Sequence, residues 1–117
     1  MFVLIDPAAS APVFAQITTS IATQIATGTI ATGTRLPAAK ELAGSLGVNV
    51  NTVLRAYQEL RDEGQIELRR GRGAVVVAGP TADDRIRDVV RRAAVEAKAA
   101  GLPIGTLLAL IREEYES

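Results

Sequence analysis

The chain has 117 residues, 48% hydrophobic and 22% charged, with 13 Lys and Arg against 13 Asp and Glu and no His, Cys or Trp; that suffices for one small domain with an appendage and excludes a disordered tail. Without imidazole or thiolate there is no zinc finger, disulfide framework, haem or blue-copper site, and no Ser-His-Asp or Cys-His catalysis, so an enzyme would have only carboxylate, Lys or hydroxyl chemistry. The zero net charge counts mildly against nucleic acid as a partner, but it hides an uneven distribution: residues 1–34 carry only Asp6, residues 35–80 seven basic and five acidic groups, and residues 81–117 six and seven.

The apolar opening Phe2-Val3-Leu4-Ile5 lacks a basic flank and meets Asp6 at once, and runs such as Ala74 to Ala78 are far too short for a bilayer. A soluble cytoplasmic protein with no membrane partner is expected. Phe14, Ile17, Ile21 and Ile25 then recur at steps of three and four between Pro12 and Gly28, which predicts a first helix with one apolar stripe. The stretch Thr27 to Thr34, with two glycines and several β-branched residues, is expected to be a connecting loop. It lacks the Lys and the following helix of a phosphate-binding loop.

Pro37 opens a short helix with Ala39, Leu42, Ala43 and Leu46 on its apolar side, and Gly47 stops it. Asn49 is a good N-cap for the next helix, in which Val53, Ala56, Tyr57 and Leu60 face inward and Gly64 lies past the end. Two short helices separated by three or four residues containing a Gly make the pattern of a helix-turn-helix. Beyond it, Ile66-Glu67-Leu68 alternates, Arg70-Gly71-Arg72-Gly73 is a tight turn and Ala74 to Ala78 is rich in β-branched residues, so a two-stranded hairpin follows. Helix-turn-helix plus hairpin is a winged helix, whose second helix enters the major groove while the hairpin tip touches the backbone or minor groove.

The residue types suit those tasks. Val50, Asn51, Thr52, Arg55 and Glu59 lie away from the buried stripe of the second helix; Asn can pair with adenine, Thr can touch a thymine methyl or a phosphate, and Arg can reach guanine or phosphate. Arg69, Arg70 and Arg72 with interleaved glycines suit close approach to a phosphodiester chain. Each residue has a plainer role available: Asn49 as a cap, Thr52 as a helix-start hydroxyl, Arg55 as a solvated charge. Their joint placement on one motif favours nucleic acid.

Gly79-Pro80 marks a boundary, so residues 1–79, with an N-terminal extension 1–11, are expected to form the DNA-binding domain and residues 80–117 a separate tail. Thr81 and Asp84 suggest a capping box for a helix running to about Ala100, with Ile86, Val89, Val90, Ala93 and Ala97 on one face. A last helix from Pro103 carries Ile104, Leu107, Leu108, Ile111 and Tyr115. Two such helices are too small to form a core alone, so their stripes must cover the first part of the chain or a second copy. The fold class expected is mostly α with a small β-hairpin: a winged helix-turn-helix and a two-helix dimerisation tail. The expected dimer interface includes Ile86, Val89, Val90, Ala93, Leu107, Leu108 and Ile111.

Pro12-Val13-Phe14-Ala15-Gln16-Ile17, Gly28-Thr29-Ile30, Gly33-Thr34-Arg35-Leu36-Pro37, Glu41-Leu42-Ala43, Leu46-Gly47-Val48-Asn49, Asn51-Thr52-Val53, Ala56-Tyr57, Leu60, Glu63-Gly64 and Gly71-Arg72-Gly73 together resemble the winged-helix domain of the GntR family of bacterial transcriptional regulators. Ile5-Asp6-Pro7 and the short tail are similar to its YtrA branch, whose members lack the large ligand-binding domain of other branches. The resemblance implies a dimeric, operator-binding repressor, of a kind often encoded beside the transporter genes it controls. It implies DNA contacts at Lys40, Asn49, Asn51, Thr52, Arg55, Arg72 and Gly73, to which the basic residues Arg35, Arg69 and Arg70 are added as candidates. The chain departs from the family at Ala38 and Lys40, where Ser and Arg are usual, and at Val50, where Arg or Pro is usual. Lys for Arg exchanges a planar fork for a point charge.

The function expected is thus a homodimeric repressor on a palindromic double-stranded operator, with no cofactor or metal and no residue cluster that points to an effector. A winged helix used only for protein interaction would need an apolar or acidic recognition face, where this one has Asn51, Thr52 and Arg55. An enzyme would need paired carboxylates, and Glu41, Asp62, Glu63 and Glu67 are spread over solvent-facing positions. Asp83-Asp84 suits a helix N-terminus.

Overall fold

The computed structural model describes all residues 1–117 and contains five helices and one hairpin: α1 (Val13–Ala26), α2 (Ala39–Leu46), α3 (Val50–Asp62), β1 (Ile66–Arg69), β2 (Gly73–Val76), α4 (Asp84–Ala99) and α5 (Ile104–Glu116). They fall into two compact units, Met1–Thr81 and Ala82–Ser117.

In the first unit the stripe Ile17, Ile21 and Ile25 of α1 is fully buried against Val53, Ala56, Tyr57 and Leu60 of α3, with Leu42 and Ala43 of α2 and Ile66 and Val76 of the hairpin completing the core. Each helix contributes the face that its three-and-four spacing creates, and burial of these chains removes the apolar area that drives the fold. α2 ends at Gly47, whose φ of 69° is left-handed and open to glycine at little cost; the chain reverses there and enters α3. The Asn49 side chain then accepts from the Asn51 backbone N–H at 2.8 Å and caps α3 as expected.

The N-terminal extension is strapped to α1 by two glutamine amides. Gln24 accepts from the Phe2 N–H at 3.1 Å and donates to the Phe2 carbonyl at 2.7 Å; Gln16 accepts from the Asp6 N–H at 2.8 Å and donates to the Asp6 carbonyl at 3.0 Å. Each amide thereby stands in for the backbone of a neighbouring strand.

The hairpin is antiparallel with Ile66 opposite Val76 and Arg69 opposite Gly73. Its turn closes with the Arg72 N–H on the Arg69 carbonyl at 3.0 Å, and Gly71, third of these four residues, has a φ of 79°; a turn with positive φ there calls for Gly. The end of the expected connecting loop is more ordered than its composition suggests. Gly33 and Leu36 donate to the Val76 and Ala74 carbonyls at 2.7 and 2.8 Å, Val76 donates to Thr34 at 2.9 Å, and Arg35 bridges to Val75. Residues 33–36 therefore run along the outer edge of β2 as a third rung.

In the second unit the capping box expected of Thr81 and Asp84 does not form. The Asp83 carboxylate accepts from the Ile86 N–H at 3.0 Å and caps α4 instead, while the Thr81 N–H is already committed to the Ala26 carbonyl at 3.0 Å. α4 buries only Ala97 and α5 buries no residue. Val89 (57% exposed), Val90 (61%) and Leu108 (57%) are the reverse of what a finished core shows.

Candidate nucleic-acid interface

The start of α3 is polar and open. Asn49 and Asn51 are exposed and Thr52 is half-buried, and the first turn carries no acidic residue to offset the partial positive charge of the helix terminus. That combination favours a phosphate or a base edge at this end. Lys40, in the first turn of α2, is also exposed.

Arg55 follows one turn later but does not extend freely into solvent. Its guanidinium carbon stands 3.7 Å from the centre of the Phe14 ring of α1. Next to it on the α1 side, the buried Thr18 hydroxyl lies 3.0 Å from the Phe14 carbonyl and 3.2 Å from Glu59 Oε2, so it can donate to either. The outer face of α3 at this level is left to Asn51, Leu54 and Gln58, all exposed.

The hairpin adds its cations unequally. Arg70 and Arg72 lie on the exposed turn. Arg69 is turned back along β1, where its Nε and Nη2 donate to Glu67 Oε2 at 3.2 and 3.1 Å. Residues i and i+2 of a strand share a face, which is why these two meet. Gly73 begins β2 and is exposed.

Arg35, Ala38, Ala39, Leu54, Leu68 and Gly73 all line one groove of about 230 Å³, which brings the start of α2, the middle of α3 and the base of the wing together. A second groove of about 190 Å³, lined by Leu54, Tyr57, Gln58, Arg61 and Leu68, lies on the other side of the two leucines. Tyr57 is the pin beneath: its hydroxyl donates to the Pro37 carbonyl at 2.6 Å, and burial, with the Glu41 carboxylate adding to it, pushes the phenol up to about 12. Leu54, Phe14 and the Tyr57 hydroxyl were absent from the candidates drawn from sequence. Leu54 alone had a signal there, an apolar residue off the buried stripe.

The expected interface residues of the tail are placed on α4 and α5. Ile86, Val89, Val90, Leu108 and Ile111 are exposed, and Ala93 and Leu107 half-buried.

The sequence model described as "Bacterial regulatory proteins, gntR family" matches residues 14–76. The chain is 32% identical over 115 residues to the HTH-type transcriptional repressor YtrA of Bacillus subtilis (strain 168), covering 93% of this chain and 88% of that protein. It is similar to the solved structure of YtrA from Sulfolobus acidocaldarius, a GntR-family transcription factor, with a TM-score of 0.62 and 33% identity over 98% of this chain and 100% of that one. The structure of the AraR DNA-binding domain in complex with operator ORX1 matches with a TM-score of 0.57 and 28% identity, over 66% of this chain and 96% of that one.

Proposed function

The chain belongs to the gntR family of bacterial regulatory proteins, and from that premise we propose that it is a homodimeric repressor, binding a palindromic operator through residues 1–79 and a second copy of itself through residues 80–117. It is a DNA-binding transcription regulator of that family and not an enzyme. The observation that carries the reading is that one unit presents an α3 start with no acidic residue, an exposed Asn51 and the exposed wing cations Arg70 and Arg72, in a fold similar to an operator-bound domain. Phosphate contacts from Lys40, Thr52, Arg55, Arg70, Arg72 and the Gly73 backbone would set position, and Asn51 would read a base edge. Arg35 and Asn49 would stand beside them, and Arg69, shared with Glu67, would contribute least.

The tail supports the dimeric part of the proposal, because α4 and α5 expose apolar faces that a second copy would cover. Control of transporter genes rests on the resemblance to the YtrA branch alone. No helix is long and apolar enough to cross a membrane, which fits work on the chromosome in the cytoplasm.

Selection of bound duplexes from a random pool tests this directly. An enriched inverted repeat with half-sites a helical turn or more apart is the expected result. A pool without enrichment would overturn sequence-specific binding, and a single unrepeated half-site would overturn the two-fold dimer.

A further inference from the structure

On α3 the core takes Val53, Ala56, Tyr57 and Leu60, yet two more apolar side chains of the same helix stay outside it: Val50 is 37% exposed and Leu54 49%. Four residues apart, they are neighbours on one face. A single exposed leucine needs no explanation; this pair shares its place on the helix, and Leu54 adds two features that an ordinary surface leucine lacks. The pair occupies the N-terminal half of the recognition helix on either side of Asn51 in the sequence. The flank of Leu54 is left open, because it shares its groove with Ala38 and Ala39, whose methyl groups are too short to cover it. The rim around Leu54 is polar and cationic, with Arg35 lining one groove and Gln58 and Arg61 the other.

That rim decides between occupants. An apolar protein surface laid over the pair would take the guanidiniums out of water without partners, at a cost exceeding the gain from two side chains. A duplex meets the cations with phosphates and offers one apolar group in the floor of its major groove, the C5-methyl of thymine. We propose that Val50 and Leu54 are specificity-determining residues that read thymine methyl groups in each operator half-site, an inference that rests on the operator-binding function proposed above. The two Cα atoms are separated by about 6 Å along the helix axis, close to two base-pair steps, so the methyl groups they read lie within about two steps of each other.

The test uses the full chain and the duplex returned by the random-pool selection, with each thymine of the half-site replaced in turn by deoxyuridine, which deletes the methyl and keeps the base pairing. One or two positions are expected to lose about fourfold in affinity per half-site, the loss for uncovering one buried methyl, with the other thymines unaffected. Leu54→Ala is expected to abolish the loss at the position Leu54 covers, and Val50→Ala at the other. Because Leu54 also borders Leu68 of the wing, Leu54→Ala could loosen the hairpin; the deoxyuridine scan on the unaltered chain is independent of that. Unchanged affinity at every substituted thymine, or a selected half-site containing no thymine, would overturn the proposal and leave operator binding standing. Absence of any preferred sequence would overturn operator binding itself and this inference with it.

Discussion

The guanidinium of Arg55 is stacked over the ring of Phe14, 3.7 Å from its centre, and so ties α3 to α1. A stacked guanidinium keeps its edge N–H groups free but loses reach, which suits a phosphate better than the groove floor. Arg55→Ala should therefore weaken binding to all operator variants alike, whereas Asn51→Ala should change the preference among them by about 1–3 kcal/mol at the base it contacts. Phe14→Leu should cost about 0.5–1 kcal/mol of operator affinity, and nothing further once Arg55 is Ala. Additive losses in the double variant would show that the ring does not hold the guanidinium for DNA.

Tyr57 ties α3 to the segment that leads into α2 through the 2.6 Å bond from its hydroxyl to the Pro37 carbonyl. Tyr57→Phe leaves a carbonyl without its partner, so about 1–3 kcal/mol of unfolding free energy should be lost in urea titrations. A Tyr57→Phe protein as stable as the parent would mean that water replaces the bond without cost.

The same phenol should make stability fall at high pH. Its folded value is raised to about 12 from 10.0, by burial first and by Glu41 second. Between those two values the unfolded chain has released its proton and the folded one has not, so the contribution is complete below pH 10 and lost as the pH rises through 12. A decline of about 2–3 kcal/mol across that window is expected, and Tyr57→Phe should flatten it. An equal slope in both proteins would assign the decline to other groups.

The helices were legible in the sequence because local signals and tertiary burial agree: Ile17, Ile21 and Ile25 form one stripe in the pattern and one wall of the core, and the Asn49 cap needs only its own neighbours. What was not legible depends on partners distant in the chain. The rung formed by residues 33–36 exists because β2 offers an open edge, and nothing in its glycines and threonines announces pairing. Thr81 and Asp83 are both good cap residues, and the Ala26 carbonyl, which takes the Thr81 N–H, accompanies the choice of Asp83. At the candidate site, residue types predicted the polar start of α3 and the basic turn. The platform under Arg55 comes from a different helix and had no local signature. The pairing of Arg69 with Glu67, by contrast, was legible, since residues two apart share a strand face.

The wing arginines should separate in salt titrations. Arg72 is exposed on the turn, and Arg69 is held by Glu67 at 3.1 Å. Arg72→Ala should lower affinity for every duplex and reduce the slope of log affinity against log salt by about one. Arg69→Ala should change the slope less, because the Glu67 carboxylate beside it offsets its charge toward the phosphates. Equal slopes for Arg72→Ala and the parent protein would remove the wing from the phosphate backbone.

The tail makes the most severe demand on the proposed function, since α4 and α5 leave Val89, Val90 and Leu108 more than half exposed in a single copy. An isologous interface would bury each twice, once per protomer, so one charge introduced there acts at two places. Val90→Asp and Leu108→Asp should each convert a particle of twice the chain mass into the 12.3 kDa monomer in light scattering at micromolar concentration. Far-ultraviolet circular dichroism of the first unit's helices should persist, because its core contains no residue from the tail. Operator affinity should fall steeply while binding to an isolated half-site changes little, since a dimer gains from tethering two reading heads and each head is left intact. A parent chain that scatters as a monomer would overturn the dimer itself, and a Leu108→Asp chain that remains dimeric and binds the full operator as before would place the pairing surface elsewhere.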